Sequence, residues 1–342
     1  MKVAVIGLGY IGLPTSALIA SQKIDTIGVD TNPSIVDTIN RGAIHISEPD
    51  LAGLVHHVVE HSYLSARTLP EPADIFIITV PTPILPDKTP DISHVEKAVN
   101  SIIPHLSPSN LLIIESTCPV GTTAEIKDLI YKRREDLRDK LAIAYCPERV
   151  LPGRILYELE HNDRVIGGID ETSAQKAISF YSRFVKGNLY TTSSDTAEMC
   201  KLIENSYRDM NIAFANELSI LCDHLGIDVF ELISLANKHP RVNILKPSPG
   251  VGGHCIAVDP YFLSSRYPEH TKLIKLSRHI NTYKTQWVIE KIKNTALTYY
   301  QENSKMPTIA LMGLSFKPNI DDLRESPALL IAQSLQKDHR II

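Results

Sequence analysis

The sequence predicts an α/β protein: a parallel sheet wrapped by helices in the first half, a helical middle, and a short C-terminal α/β unit. Three observations carry this. Short apolar runs at 3–6, 26–29, 74–80, 111–115, 141–144 and 164–167 alternate with helical stretches such as 94–103 and 122–133, the pattern of parallel strands joined by crossovers. Residues 195–225 contain neither Gly nor Pro and are densely apolar. A polar linker at 303–307 then precedes a new apolar run at 308–314. The 342 residues exceed the roughly 250–300 at which one core stops growing, so more than one domain is expected. We place the boundaries at 1–193, 194–302 and 303–342.

Composition narrows the function. Lys and Arg number 35 against 39 Asp and Glu, a net charge of -4, and aromatics are 6%. This excludes a general basic surface for nucleic acid and a base-stacking platform. No apolar segment approaches the ~20 residues needed to span a bilayer, and the start of the chain is a strand rather than a leader. The five cysteines, at 118, 146, 200, 222 and 255, show no C-x-x-C spacing, which argues against a disulfide framework or a cysteine metal site and for a reducing cytoplasm. No metal is expected.

The first strand runs straight into Gly7-Leu8-Gly9-Tyr10-Ile11-Gly12, then a helix with Pro14 in its first turn, then a strand that ends at Asp30. This is the full context of a dinucleotide fingerprint in a Rossmann-type sheet. Gly7 makes the tight turn, Gly9 lets backbone N–H groups reach the pyrophosphate, and Gly12 lets helix and strand pack closely. Asp30 is expected to bind the adenosine ribose hydroxyls and to repel a 2′-phosphate, which favours NAD over NADP. The later strands end at Pro81-Thr82, at Ser116-Thr117 and at Pro147-Glu148-Arg149. In a parallel sheet these ends line one crevice. Glu148 reads equally as a surface partner of Arg149 or as a carboxylate that orders a water.

The helix at 195–225 looks capped by Ser194 and Asp195, with Glu198 at capping-box spacing. It would span about 45 Å, a length suited to a domain connector or a dimer seam. Lys201 and Asn205 share one face; Lys201 reads equally as a surface lysine at the helix edge. Gly226 ends this helix, and Asp228 with Glu231 caps the next, which closes near 238–240. The coil that follows, P-S-P-G-V-G-G-H-C-I-A-V-D-P at 247–260, delivers Cys255 on a glycine-rich loop beside His254 and Asp259. A cysteine so placed is a nucleophile candidate. Cys118, at a strand end, is its rival. Cys146, Cys200 and Cys222 read as packing thiols, and His254 as a packing or hydrogen-bonding residue. At the C-terminal end, Lys317 and Arg324 form a plausible anion-binding pair, the helix at 327–336 starts on a proline, and 339–342 begins another strand. This unit reads as an α/β domain truncated after its first repeat.

These motifs together resemble the UDP-sugar 6-dehydrogenase family: V-I-G-L-G-Y-I-G-L-P at the start, V-P-T-P at 80–83, E-S-T at 115–117, C-P-E-R-V-L-P-G at 146–153, E-M-C-K-L-I-E-N-S-Y-R-D at 198–209, H-P-R-V-N at 239–243, G-V-G-G-H-C-I-A-V-D-P at 250–260 and F-K-P-N-I-D-D-L-R-E-S-P at 316–327. Several look nearest the UDP-N-acetylmannosamine branch. The UDP-glucose branch typically carries a lysine and a further carboxylate where Val258 and Pro152 stand here. The resemblance implies a four-electron oxidation of a UDP-sugar C6 hydroxyl to the uronic acid, with two hydrides passed to NAD. Cys255 would hold the carbon as thiohemiacetal and then thioester. Lys201 and Asn205 would stabilise the oxyanion; Asp259, Glu148 and Thr117 would manage protons and the hydrolytic water. It also implies cofactor contacts from Gly7, Gly9, Tyr10, Ile11, Gly12, Asp30, Pro81, Thr82 and Thr117. Substrate contacts would come from Glu148, Arg149, Val150, Lys201, Asn205, Arg208, Arg241, Asn243, Gly252, Lys317 and Arg324. A homodimer or higher homo-oligomer and a role in bacterial surface polysaccharide precursor synthesis complete the implication. A two-electron hydroxy-acid dehydrogenase, with Lys201 as acid/base, and a non-catalytic nucleotide-sugar binder are the rival readings.

Overall fold

The computed structural model describes residues 1–317 and 322–342. The chain divides into two compact units, Met1–Lys201 and Leu202–Ile342. In the first, eight strands form one sheet: β1 Lys2–Ile6, β2 Asp25–Val29, β3 Leu64–Arg67, β4 Ile75–Ile78, β5 Leu111–Ile114, β6 Ala142–Tyr145, β7 Arg164–Gly168 and β8 Leu189–Ser193. Their order is β3-β2-β1-β4-β5-β6-β7-β8. The helices are α1 Gly12–Ser21, α2 Pro33–Asn40, α3 Leu51–Glu60, α4 Ser93–Ile102, α5 Thr122–Arg133, α6 Ile155–His161 and α7 Glu171–Tyr181. Strands β1, β4, β5 and β6 are near-continuous apolar runs because helices cover both faces. Val3, Val5, Ile75, Ile77, Ile113 and Ala144 pack on one side, Ala4, Ile6, Phe76, Ile78, Leu112 and Ile114 on the other.

The alternating pattern predicts parallel pairing throughout, and it holds through β6. β7 instead pairs antiparallel to β6, and β8 returns parallel to β7. The segment between β6 and β7 carries the short helix α6, just as the segment between β7 and β8 carries α7, so a helix between two strands does not by itself dictate parallel pairing. β3 and β8 carry weak sequence signals. Both are sheet edges, and β8 is mostly exposed.

The long helix α8 runs Ser194–Leu225. Its start differs from the predicted cap. Ser193 Oγ accepts from Thr196 N, and Glu198 turns away from its own helix. Fully buried, Glu198 accepts from the backbone N–H of Gly121 and of Thr123 and from Thr123 Oγ1. It closes the N-terminus of α5, whose own first residues provide no side-chain cap, and that demand outweighs the capping box.

In the second unit, α9 Val229–Ala236 is capped by Asp228, whose Oδ1 accepts from Phe230 N and Glu231 N. α10 Asp259–Arg266 and the long α11 Lys272–Asn303 follow. α12 Pro327–Leu335 packs on α11 through Ile289, Ile331 and Leu335. β9 Thr308–Ile309 pairs parallel with β10 Arg340–Ile341. α8 and α11 run in the same direction. Their partners climb in step: Asp209 with Arg278, Asn216 with Asn281, Ser219 with Lys284, Asp223 with Lys291. No helix among the described residues is long and apolar enough to cross a membrane.

Candidate active site

The first unit builds one rim from strand register. Ile6, Val29, Ile78, Ile114 and Tyr145 lie side by side across the sheet. The residues that follow them therefore emerge at one edge: the glycine turn after β1, Asp30, Pro81 and Thr82, Thr117, and Glu148 to Val150. The glycine turn lies between β1 and β4, where the strand order reverses, the place where such sheets bind ligands.

The turn itself requires its glycines. Gly7 has φ +98, and a Cβ on Gly12 would land on the Gly7 carbonyl. Thr79 Oγ1 donates to that same carbonyl at 2.8 Å. Leu8 N donates to Asp30 Oδ2 at 3.0 Å and Asn32 N to Oδ1 at 2.9 Å. Asp30 thus ties the glycine turn to the end of β2, a role the spacing alone does not reveal. Gly9 has open space where a Cβ would point, and Tyr10 is exposed beside it. An empty-sided turn at a helix N-terminus, with a carboxylate at the next strand end, fits a dinucleotide pyrophosphate and ribose.

Glu148 is 8% exposed. Its Oε1 accepts from the backbone N–H of Arg149 and Val150, and its Oε2 has no hydrogen-bond partner. Its carbonyl accepts from Lys201 Nζ. The Arg149 guanidinium reaches the Asp163 carbonyl. Lys201 is therefore not a solvated edge lysine but a side chain bound to the Glu148 turn. Glu48, which carries no motif, is buried and accepts from Gly153 N and Ile155 N, which orders the rest of that segment. Behind the rim, Glu115 accepts from Tyr181 Oη at 2.6 Å and pairs with Arg164 at 3.5 Å. Burial pushes the Glu115 carboxyl up to about 7, against the pull of Arg164.

The cysteines separate cleanly. Cys118, the rival nucleophile, is 0% exposed, and burial pushes its thiol well up, with Glu198 and Glu125 adding to the rise. The strand-end position is real, but the side chain points into the core. Burial likewise raises Cys146 to about 11, and Cys222 is buried. Cys200 is half-buried on α8.

Cys255, in the second unit, is half-buried on the glycine loop. Its carbonyl accepts from Val258 N and Asp259 N, which turns the chain into α10. Asp259 is 3% exposed and its Oδ2 accepts from Asn205 Nδ2 at 2.6 Å. Gly253 has φ +85, its N–H donates to the Arg324 carbonyl at 3.0 Å, and a Cβ there would meet the Phe316 ring at 2.8 Å. Gly252 is as closely covered, by Phe316 and the Glu325 carbonyl. His254 pairs with Asp322 at 3.5 Å. Arg324 donates from Nε and Nη2 to that same Asp322, and Lys317 lies near the Phe316 ring; residues 318–321 of the surrounding motif lie outside the described residues. Arg208, Arg241 and Asn243 are exposed. The turn bearing the last two is closed by Asn237, which exchanges two hydrogen bonds with Ile244. Among the described residues no cluster of three or more His, Cys, Asp or Glu gathers as a metal site.

Models of the UDP-glucose/GDP-mannose dehydrogenase family match three segments: its NAD binding domain at residues 1–185, its central domain at 195–283 and its UDP binding domain at 310–342. The chain belongs to this family. It is an NAD-dependent oxidoreductase, and the glycine turn and Asp30 lie in the NAD-binding segment. Among its relatives, the UDP-N-acetyl-D-mannosamine dehydrogenase of Campylobacter jejuni is 54% identical over 347 residues, covering 99% of this chain and 84% of that protein. The NDP-N-acetyl-D-galactosaminuronic acid dehydrogenase of Ralstonia nicotianae is 52% identical over 341 residues, covering 97% and 79%. Among solved structures, the UDP-D-ManNAc dehydrogenase of Pyrococcus horikoshii superposes with a TM-score of 0.94 at 39% identity, covering 100% of this chain and 82% of that one. Solved relatives share the fold of this chain.

Proposed function

We propose that this dehydrogenase oxidises the C6 hydroxyl of UDP-N-acetyl-D-mannosamine to the uronic acid through an acyl group held on Cys255. One observation carries the reading: Cys255 is a half-buried thiol on a glycine loop that leads directly into buried Asp259, which Asn205 holds. Gly7, Gly9, Tyr10, Ile11, Gly12, Asp30, Pro81, Thr82 and Thr117 hold NAD. NAD supplies the hydride acceptor when bound.

The residues divide the remaining work. The Cys255 thiolate adds to the C6 aldehyde carbon, and the carbonyl oxygen takes up the negative charge. Lys201 and Asn205 stabilise that oxyanion. Once the carbon is at the acyl level, water displaces sulfur; Glu148, through its unpartnered Oε2, and Asp259 with Thr117 take the water's proton and return one to the leaving thiolate. Arg149, Val150, Arg208, Arg241, Asn243, Gly252, Lys317 and Arg324 bind the UDP-sugar, the arginines taking phosphate oxygens. The protein works in the cytoplasm as a homodimer. Ile203, Tyr207, Phe214, Leu221 and Leu225 leave an exposed apolar stripe along α8, suited to a second copy. The functional layout is three segments, 1–193 for NAD, 194–302 for the sugar and the dimer seam, and 303–342 for the UDP end.

The mannosamine reading is favoured by the names of the relatives and of the solved structures at 39–43% identity. A second reading, the galacto-configured substrate, is favoured by the 52% relative. NADH formation with UDP-N-acetylmannosamine, UDP-N-acetylgalactosamine, UDP-N-acetylglucosamine and UDP-glucose side by side decides. The expected result is the highest kcat/KM with the first, and two NADH per acid formed. A higher kcat/KM with any other sugar overturns the mannosamine reading.

A further inference from the structure

The thiol loop is suspended from two helices. On α8, Asn205, Asp209 and Asn216 share one face, since Asn216 lies three turns beyond Asn205, about 16 Å along the axis. Asn205 holds Asp259, just after the thiol. Asn216 accepts from Ser248 N at 2.7 Å, just before the glycines. Asn216 is 0% exposed and is itself oriented: its Nδ2 donates to Asn281 Oδ1 on α11 at 2.8 Å. Asn281, 1% exposed, donates in turn to the Asp209 carboxylate, which also takes Arg278. A second tether leaves α11 one turn on: Thr285 Oγ1 donates to the Pro249 carbonyl at 2.8 Å. Within the loop, Ser248 Oγ donates to the Gly250 carbonyl at 2.6 Å.

We propose that Asn216, Asn281 and Thr285 are positioning residues for Cys255: α8 acts as a gauge whose side chains fix both ends of the thiol loop, with α11 locking the far end. The proposal rests on the reading of Cys255 as nucleophile. The physical argument is that asparagine is ambidentate. Its amide can take an N–H on one side and give one on the other, and each member of the Asp209–Asn281–Asn216–Ser248 chain fixes which way the next one faces. Asn281 and Asn216 each use their amide oxygen and their amide nitrogen, so flipping either one breaks two bonds; the pair has one low-energy arrangement and the loop has one as well. A loop that must present sulfur to a carbon within a few tenths of an ångström needs that uniqueness, since a misplacement of about 1 Å can reduce a rate about 10²-fold.

The test uses the intact enzyme with its nucleotide sugar, an aldehyde trap such as semicarbazide, and variants Asn216→Ala, Thr285→Val and Thr285→Ser. Valine keeps the shape of threonine and removes the donor; serine keeps the donor. Asn216→Ala and Thr285→Val are expected to lower kcat about 10- to 100-fold and to let aldehyde escape, so that NADH formed per acid rises above two. The Cys255 peptide is expected to be alkylated faster by iodoacetamide in the unliganded protein, and Thr285→Ser restores both readouts. A merely structural role would lower the folded fraction and leave the NADH-to-acid ratio at two. That ratio, with wild-type kcat per folded molecule and unaltered alkylation in both variants, overturns the proposal. Cys255→Ser serves as the control: if it still forms acid with two NADH at the wild-type rate, the nucleophile reading fails and takes the positioning argument with it.

Discussion

The protein carries two glycine loops, and they are held in opposite ways. The turn at 7–12 is fixed within the sheet: a strand before it, a helix after it, and the ends of the two strands that flank β1, at Asp30 and Thr79. The loop at 247–255 is fixed from outside any sheet, by side chains of two long helices, Asn216 and Thr285, and by Phe316 and the Arg324 carbonyl. The first is a backbone device recurring wherever a dinucleotide meets a parallel sheet. The second depends on buried side chains and a ring that nothing in the local sequence specifies. A cofactor turn can therefore be recognised from spacing, whereas a nucleophile loop shows its cysteine and hides its supports.

The comparison can be broken most severely at the sulfur. Cys255→Ser is expected to reduce acid formation on the order of 10³-fold or more while leaving the glycine turn and nucleotide affinity intact; product analysis and NAD binding measure the two effects. A comparable loss of NAD affinity would mean the two loops are not separable. The next effect compares alanine at the two loops. Gly12→Ala drives a methyl into a backbone carbonyl that cannot yield, and should destabilise the protein by about 3 kcal/mol in denaturant unfolding. Gly253→Ala meets a movable ring and a left-handed φ, and should lose about 1 to 2 kcal/mol. Adding Phe316→Ala should recover the steric part of that loss, since only the φ penalty remains. Equal losses at Gly12 and Gly253 would contradict the distinction between backbone and side-chain support.

The smallest effect is a slope. Glu115 faces Arg164 from β7, Tyr181 from α7 and the Glu148 turn. Burial moves its pKa from an ordinary 4.5 up to about 7, so the folded state holds a proton that the unfolded chain releases. This contribution to stability is complete below pH 4.5 and is lost as pH rises through 7. Glu115→Gln should flatten the stability profile across that window, read from denaturant midpoints at successive pH values. An unchanged slope would show that Glu115 is already ionised in the folded protein.

Much of the architecture was legible in the sequence, for stated reasons. The central strands are long apolar runs, and α5 begins and ends where its pattern does. β3 and β8 were not legible: β3 is four residues long with only Leu64 and Ala66 turned inward, and β8 is a mostly exposed edge strand. The antiparallel pairing of β7 was hidden because β6 and β7 are separated by a helix, as the parallel neighbours are. Among site residues, Cys255, Asp259 and the glycine turn carry chemistry in their spacing. Glu198 did not read correctly because a local cap and a distant one look alike in sequence. Asn216 and Asn281 look like ordinary polar residues in long helices. Only burial between α8 and α11 turns them into fixed hydrogen-bonding partners.

Phe316 lies on glycine backbone, with no side chain between ring and main chain. Side chains are the shock absorbers of a protein interior; they change rotamer before the backbone moves. At this spot there is none on the loop side. Any shift of the segment that carries Phe316 is passed undamped to the peptide units adjoining the thiol, so selection acting on that distant segment also acts on the reactivity of the sulfur.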